Sequence, residues 1–247
     1  MISYIVLILI IASTHFISAL TGFGCTIIAM PFVISLIGIS AAKSVLLVMG
    51  LIQPGYVLLK TFKHLNLKTC LIIIGISALG LPFGYLLYSK LPQQQLIMIL
   101  GVLMLFAGGL GIAKLRGLEI NNIPKLVGYL LLFAGGIIQG AFVSGGPLIV
   151  IYASIMITYK QEFRATLSLL WIILNFATFI QSILTGAYTP EVIKYTLINI
   201  PFLIAAIVYG NKLADRISKT TFEYILNIVL IVAGGITIFN QVSQLIK

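Results

Sequence analysis

The feature that most constrains this chain is its division into apolar runs that follow one another from end to end, with only short polar breaks between them. Charge, proline and glycine separate ten such runs, at residues 2–21, 25–38, 43–59, 69–88, 94–113, 125–143, 146–158, 165–185, 192–210 and 222–243. A helix that crosses a bilayer needs roughly 20 mostly apolar residues, and most of these runs have about that length. Of the 247 residues, 60% are hydrophobic and 8% charged, whereas a soluble domain carries about a quarter charged residues. The expected fold is therefore an all-α, multi-pass protein of the cell (inner) membrane, with no remainder for a separate catalytic module. The first basic residue is Lys43, so residues 2–20 lack the positive flank of a secretory signal and read as a retained membrane segment.

Several function classes are excluded by what the breaks and runs contain. The net charge is +10, but the Lys and Arg residues fall in short loops, which is the pattern membrane topology selects and not a nucleic-acid surface. Cys25 and Cys70 lie in or beside apolar runs and suggest neither a disulfide framework nor a zinc site. All five acids, Glu119, Glu162, Glu191, Asp215 and Glu223, fall in loops or at helix ends. No carboxylate is placed at mid-membrane for proton pumping. Paired carboxylates, a Ser/His/Asp set, a metal-binding cluster and a phosphate-binding loop are missing as well, so neither an enzyme nor a metal or other cofactor is expected.

The chain repeats itself. FAGGLGI at 106–112 matches VAGGITI at 232–238, and at the same offset of 126 Gly84 meets Gly210, Lys90 meets Arg216, and Ile99 and Leu100 meet Ile225 and Leu226. Earlier in each half the offset is 122, pairing Gly24 with Gly146, Ser44 with Thr166 and Gln53 with Asn175. This divides the chain into a first membrane repeat at 1–114, a cytoplasmic linker at 115–124 and a second membrane repeat at 125–247, each repeat with about five helical elements. If all ten elements are counted, one face receives Lys60, Lys63, Lys68, Lys114, Arg116, Lys125, Lys160, Arg164, Lys212, Arg216 and Lys219, and the other receives Lys43, Lys90, Lys194 and Lys247, 11 against 4. Fusing each short element with its predecessor gives 8 against 7. Cytoplasmic loops carry the excess of Lys and Arg, so the first count is preferred, with the halves inverted and both termini outside. The short elements either span or re-enter, and charge does not distinguish the two.

The second and seventh elements are short, and each begins at a glycine cluster, LTGFGCTI at 20–27 and GAFVSGGP at 140–147. Backbone at membrane depth is left unpaired only where it lines a cavity or is buried in protein. The amino end of each short helix, with free N–H groups and the positive end of its dipole, would then face the protein centre and suit an anion. Gly22, Gly24, Gly145 and Gly146 let the backbone approach a ligand, Ser144 with Thr21 or Thr26 adds hydroxyl donors, and Pro147 fits a first-turn position. Gln53 and Asn175 take equivalent places in the third element of each half, where an unpaired polar group is expensive, and so bond each other, a ligand or a neighbouring helix. His15, inside the first element, is a candidate proton carrier. The AGG sequences at 107 and 233 read as close helix crossings.

TGFGCTIIAMP, GAFVSGGPLIVIYA, EFRATLSLLWIILN and GNKLADRISKTTFEYILNIVLIVAGG together resemble the paired signatures of the TauE/SafE sulfite exporter family, over almost the whole chain. The resemblance places family positions on Gly22 and Gly24, on Gly140, Gly145 and Gly146, on Arg164, Ala165 and Thr166, and on Gly210, Leu213 and Arg216. Cys25 departs from the pattern, where glycine or another small residue is expected. The resemblance implies transport, in the export direction, of a small sulfur-containing or organic anion such as sulfite, a sulfonate or a related carboxylate. Arg164, at the cytoplasmic start of the eighth element, is the candidate for attracting that anion. The expected mechanism is alternating access around a central site, with an anion channel or a membrane-embedded sulfur-handling enzyme using Cys25 as the alternatives. The expected partners are the anion, the lipid bilayer and, as a homodimer, a second copy of the chain.

Overall fold

The computed structural model describes the backbone of residues 2–21, 25–118, 123–213 and 219–245. Among them ten α-helices follow in order: α1 (Ile2–Thr21), α2 (Cys25–Ile37), α3 (Ile39–Thr61), α4 (Leu67–Lys90), α5 (Gln93–Leu115), α6 (Lys125–Phe142), α7 (Gly146–Met156), α8 (Lys160–Leu184), α9 (Pro190–Leu213) and α10 (Lys219–Leu245). No strand occurs among the described residues. Six helices, α3, α4, α5, α6, α8 and α9, are long and apolar enough to cross a membrane. Their outward faces carry bare apolar side chains, among them Leu59, Leu71, Leu126, Leu184 and Leu197, which lipid can cover without penalty.

Several helices extend beyond the apolar runs by a few residues, because they absorb the charged residues that flank them. Lys60, Lys90, Lys114, Lys160, Arg164 and Lys212 are all helical. Lys43 is the larger correction. It was expected at the outer start of the third run, 43–59, with its charge beside a loop, yet it stands in the second turn of α3 and is 4% exposed.

α2 has 13 residues and α7 has 11. At 1.5 Å per residue these reach about 20 and 17 Å, short of the roughly 30 Å hydrocarbon core. The packing of α7 shows that it turns back. Gly145 lies against Gly135 and Gln139, Ile149 against Gly135, and Tyr152 against Gly128, so rising numbers in α7 meet falling numbers in α6. The break between them is Val143, Ser144 and Gly145. Its left-handed residue is Val143, with φ 55°, and not one of the glycines. A β-branched residue is strained there; its N–H nonetheless caps α6 by donating to the Gln139 carbonyl at 2.8 Å. Gly145 is required for packing, since a Cβ would strike the Gly135 carbonyl and stand 2.9 Å from Gln139 Cβ.

Packing across the halves is paired. α4 packs on α6 as α9 packs on α1, α4 meets α8 as α9 meets α3, and α1 meets α2 as α6 meets α7, while α3 joins α8 and α5 joins α10. The registers fix directions. Gly80 lies against Phe133 and Ile137, and Gly84 against Ile137 and Gly140, so α4 and α6 run parallel. Tyr4 stacks near Tyr195 at 5.2 Å, and Gly210 meets Phe16 and Ala19, so α1 and α9 also run parallel. Gly101 meets Gly234 and Gly108 meets Asn227, which makes α5 and α10 antiparallel. These last contacts are the close crossings expected of the AGG sequences. Gly50 meets Asn175 and the Ser44 carbonyl accepts from Tyr188 Oη at 3.2 Å, so α3 and α8 are antiparallel.

Candidate functional site

One cavity lies where α3, α8 and the α6–α7 break converge with α1 and the start of α2. It measures about 60 Å³, room for roughly four to six water-sized groups at 10–15 Å³ each. Two helical stripes form its long walls. Gly50, Gln53, Pro54 and Val57 line it from α3, and Arg164, Ser168, Trp171 and Asn175 from α8. Spacings of three and four residues keep each set on one face of its helix.

A relay of buried amides closes one side. The Gly145 N–H donates to Gln139 Oε1 at 3.0 Å, Gln139 Nε2 donates to Asn175 Oδ1 at 2.6 Å, and Asn175 Nδ2 donates to the Gly50 carbonyl at 2.7 Å. The last bond has a cause in the sequence. Pro54 stands four residues after Gly50 and has no N–H, so the Gly50 carbonyl lacks its helical donor. At membrane depth something else must supply one. Asn175 does so, and Gly50 leaves it space, since a Cβ there would stand 2.9 Å from Asn175 Nδ2.

The residues singled out from sequence separate into groups. Thr26, Gln53, Ser144, Gly146, Arg164 and Asn175 all line the cavity. Gln53 and Asn175 are nevertheless not equivalent. Asn175 is bonded at both ends of its amide to the protein, whereas Gln53 is 5% exposed and its Oε1 has no partner. Ser144 is buried and donates its hydroxyl to the Phe142 carbonyl at 3.0 Å. A Cβ on Gly146 would meet only Trp171, at 3.9 Å; the space beside Gly146 belongs to the cavity.

Other expected residues stand elsewhere. Gly145 is held in packing and in the relay. Thr166 is fully buried off the α8 stripe, its Oγ1 unpartnered. His15 is fully buried outside the lining, with Nδ1 2.9 Å from the Ile11 carbonyl and Nε2 unpartnered. Gly22, Gly24 and the side chain of Thr21 lie outside the described residues. Gln139, Ser18, Ser168, Trp171 and Cys25 are lining residues that the sequence reading did not select as ligands. Gln139 was findable by the argument used for Gln53, as a lone amide within an apolar run.

Arg164 brings the charge. It is half-buried on the cavity wall, one Nη donates to Asn211 Oδ1 at 3.2 Å, and its Nε is buried without a partner. Its described partner is a neutral amide, which leaves the positive charge uncompensated by that contact. With the free amino end of α7 and the buried Arg164 Nε, the cavity offers donors to a small negative group.

No curated protein and no solved structure matches the chain. A family model described as sulfite exporter TauE/SafE matches residues 6–236, nearly the full length and every helix that lines the cavity, so the chain belongs to the TauE/SafE sulfite exporter family of membrane transporters.

Proposed function

We propose that the protein exports a small sulfur-containing oxyanion, with sulfite or a short sulfonate as the substrate class, by alternating access around the cavity between α3 and α8. The observation that carries this reading is the lining itself. A half-buried Arg164, whose described partner is neutral and whose Nε is buried without one, shares a space of about 60 Å³ with the Gln53 side chain and the amino end of α7. A small oxyanion such as sulfite matches such a space.

The helix directions support two inverted repeats, 1–114 and 125–247, joined by a cytoplasmic linker. α7 runs back along α6, α1 and α9 pair parallel, and short turns at 157–159 and 185–189 reverse the chain between α7 and α8 and between α8 and α9. With α6 taken as up, α7 is down, α8 up, α9 down and α1 down. Equivalent helices α1 and α6 then point in opposite directions. Placing the Lys60, Lys114 and Lys125 ends on the cytoplasmic side follows the excess of basic residues there. On that assignment the cavity sits in the cytoplasmic half, at the level of Val57 and Arg164, and the state is inward-facing.

Thermal-shift measurements on purified protein with sulfite, sulfate, thiosulfate, sulfoacetate, taurine and small carboxylates test the reading. Sulfite or a short sulfonate is expected to raise the melting temperature in a saturable way. Equal stabilisation by chloride at the same ionic strength would overturn it. Saturable counterflow of the stabilising anion in proteoliposomes is expected of a carrier and would be missing from a channel.

A further inference from the structure

Lys43 is a buried cation that the cavity does not contain. Its ammonium donates to the Gly140 carbonyl at 2.7 Å and stands 4.0 Å from the centre of the Tyr88 ring and 5.9 Å from that of Tyr85. All these partners are uncharged. Gly140 lies in the last turn of α6, whose final carbonyls have no helical donors, so Lys43 caps the carboxyl end of the helix whose break opens the cavity. A cap needs only a donor. A full charge buried in a membrane protein is expensive, and residues of this kind mark ion pathways.

The position of Lys43 falls within one residue of that of Arg164 in the repeat, since the offset of 122 carries Lys43 to Ala165. Counting from Ile39 and from Lys160, each is the fifth residue of its helix, and α3 and α8 run antiparallel, which puts the two cations toward opposite ends of one pathway. Tyr85 of α4 and Asn211 of α9, which face them, are related by the same offset of 126 that pairs Gly84 with Gly210. Lys43 is seven residues before Gly50, so it lies on the cavity-facing stripe of α3, about 10 Å beyond the cavity wall. Leu46 and Leu47, both 0% exposed, fill α3 between the two levels. On the orientation proposed above, these side chains separate the cavity from the outer end of α3.

Resting on the transport reading above, we propose that Lys43 is a second anion-attracting residue of the pathway: held against Gly140 and Tyr88 while the outer half is closed, it is released to meet the anion when that half opens. Arg164 serves the cytoplasmic end and Lys43 the outer end.

The test is radiolabelled sulfite uptake into right-side-out and inside-out membrane vesicles containing wild type, Lys43→Gln, Lys43→Arg or Arg164→Gln. Glutamine keeps a donor for Gly140 and removes the charge; arginine keeps the charge. Lys43→Gln is expected to raise the half-saturating sulfite concentration about tenfold in right-side-out vesicles and to leave it within about twofold in inside-out ones. Lys43→Arg should stay near wild type, and Arg164→Gln should show the opposite sidedness. Wild-type behaviour of Lys43→Gln in both vesicle types, or an equal change in both, overturns the inference and reduces Lys43 to a helix cap while the transport reading stands. Absence of sulfite uptake by wild type in either type overturns both.

Discussion

Replacing Gln53 by leucine and, separately, Asn175 by alanine should separate binding from stability. Asn175 makes two hydrogen bonds inside the protein, at 2.6 and 2.7 Å, to Gln139 and to the Gly50 carbonyl that Pro54 leaves without a donor. Bonds between membrane helices contribute about 0.6 kcal/mol on average and up to about 1.7, so losing both should lower stability by roughly 1–3 kcal/mol. Alanine is chosen because it removes both bonds and adds no atom to the packing beside Gly50. Gln53 differs, since its buried Oε1 has no partner to lose. Gln53→Leu should therefore unfold at the wild-type temperature or slightly above it, yet no longer gain stability from sulfite. Thermal unfolding of each purified variant, with and without the anion, reads both quantities. A Gln53→Leu protein that loses more stability than Asn175→Ala, or that still responds to sulfite like wild type, would refute the assignment of one amide to the ligand and the other to the scaffold.

Gly145→Ala should fail to accumulate as folded protein, because its Cβ meets backbone of α6, while Gly146→Leu should purify and lose the anion response because its side chain fills the cavity; size-exclusion profiles and thermal shifts check the pair. Arg164→Gln should raise the half-saturating anion concentration by about tenfold, some 1.4 kcal/mol, and weaken its dependence on salt, whereas exposed Lys160→Gln should change neither much, as transport at two ionic strengths will show. Single cysteines at Lys63 and Lys212 in a cysteine-free background should be shielded from an impermeant external reagent and one at Lys90 should react; labelling at position 63 from outside would overturn the inverted arrangement.

The sequence determined the membrane class, the number of helices and the two short ones, because apolar run length and the need to pair every backbone group in lipid leave little freedom. It also placed the second break, since SGGP cannot continue a helix cheaply, and it put Arg164, Gln53 and Gly146 at one site through spacing and resemblance. Only the tertiary structure decided what each polar group does. Gln53 and Asn175 look alike in sequence and both line the cavity, yet only Asn175 meets an orphan carbonyl, which depends on the crossing of α3 with α8. Lys43 reads as a loop charge because neighbours along the chain cannot reveal that α6 ends beside it and supplies a free carbonyl. Contacts between helices far apart in sequence settle such roles, and no local pattern records them.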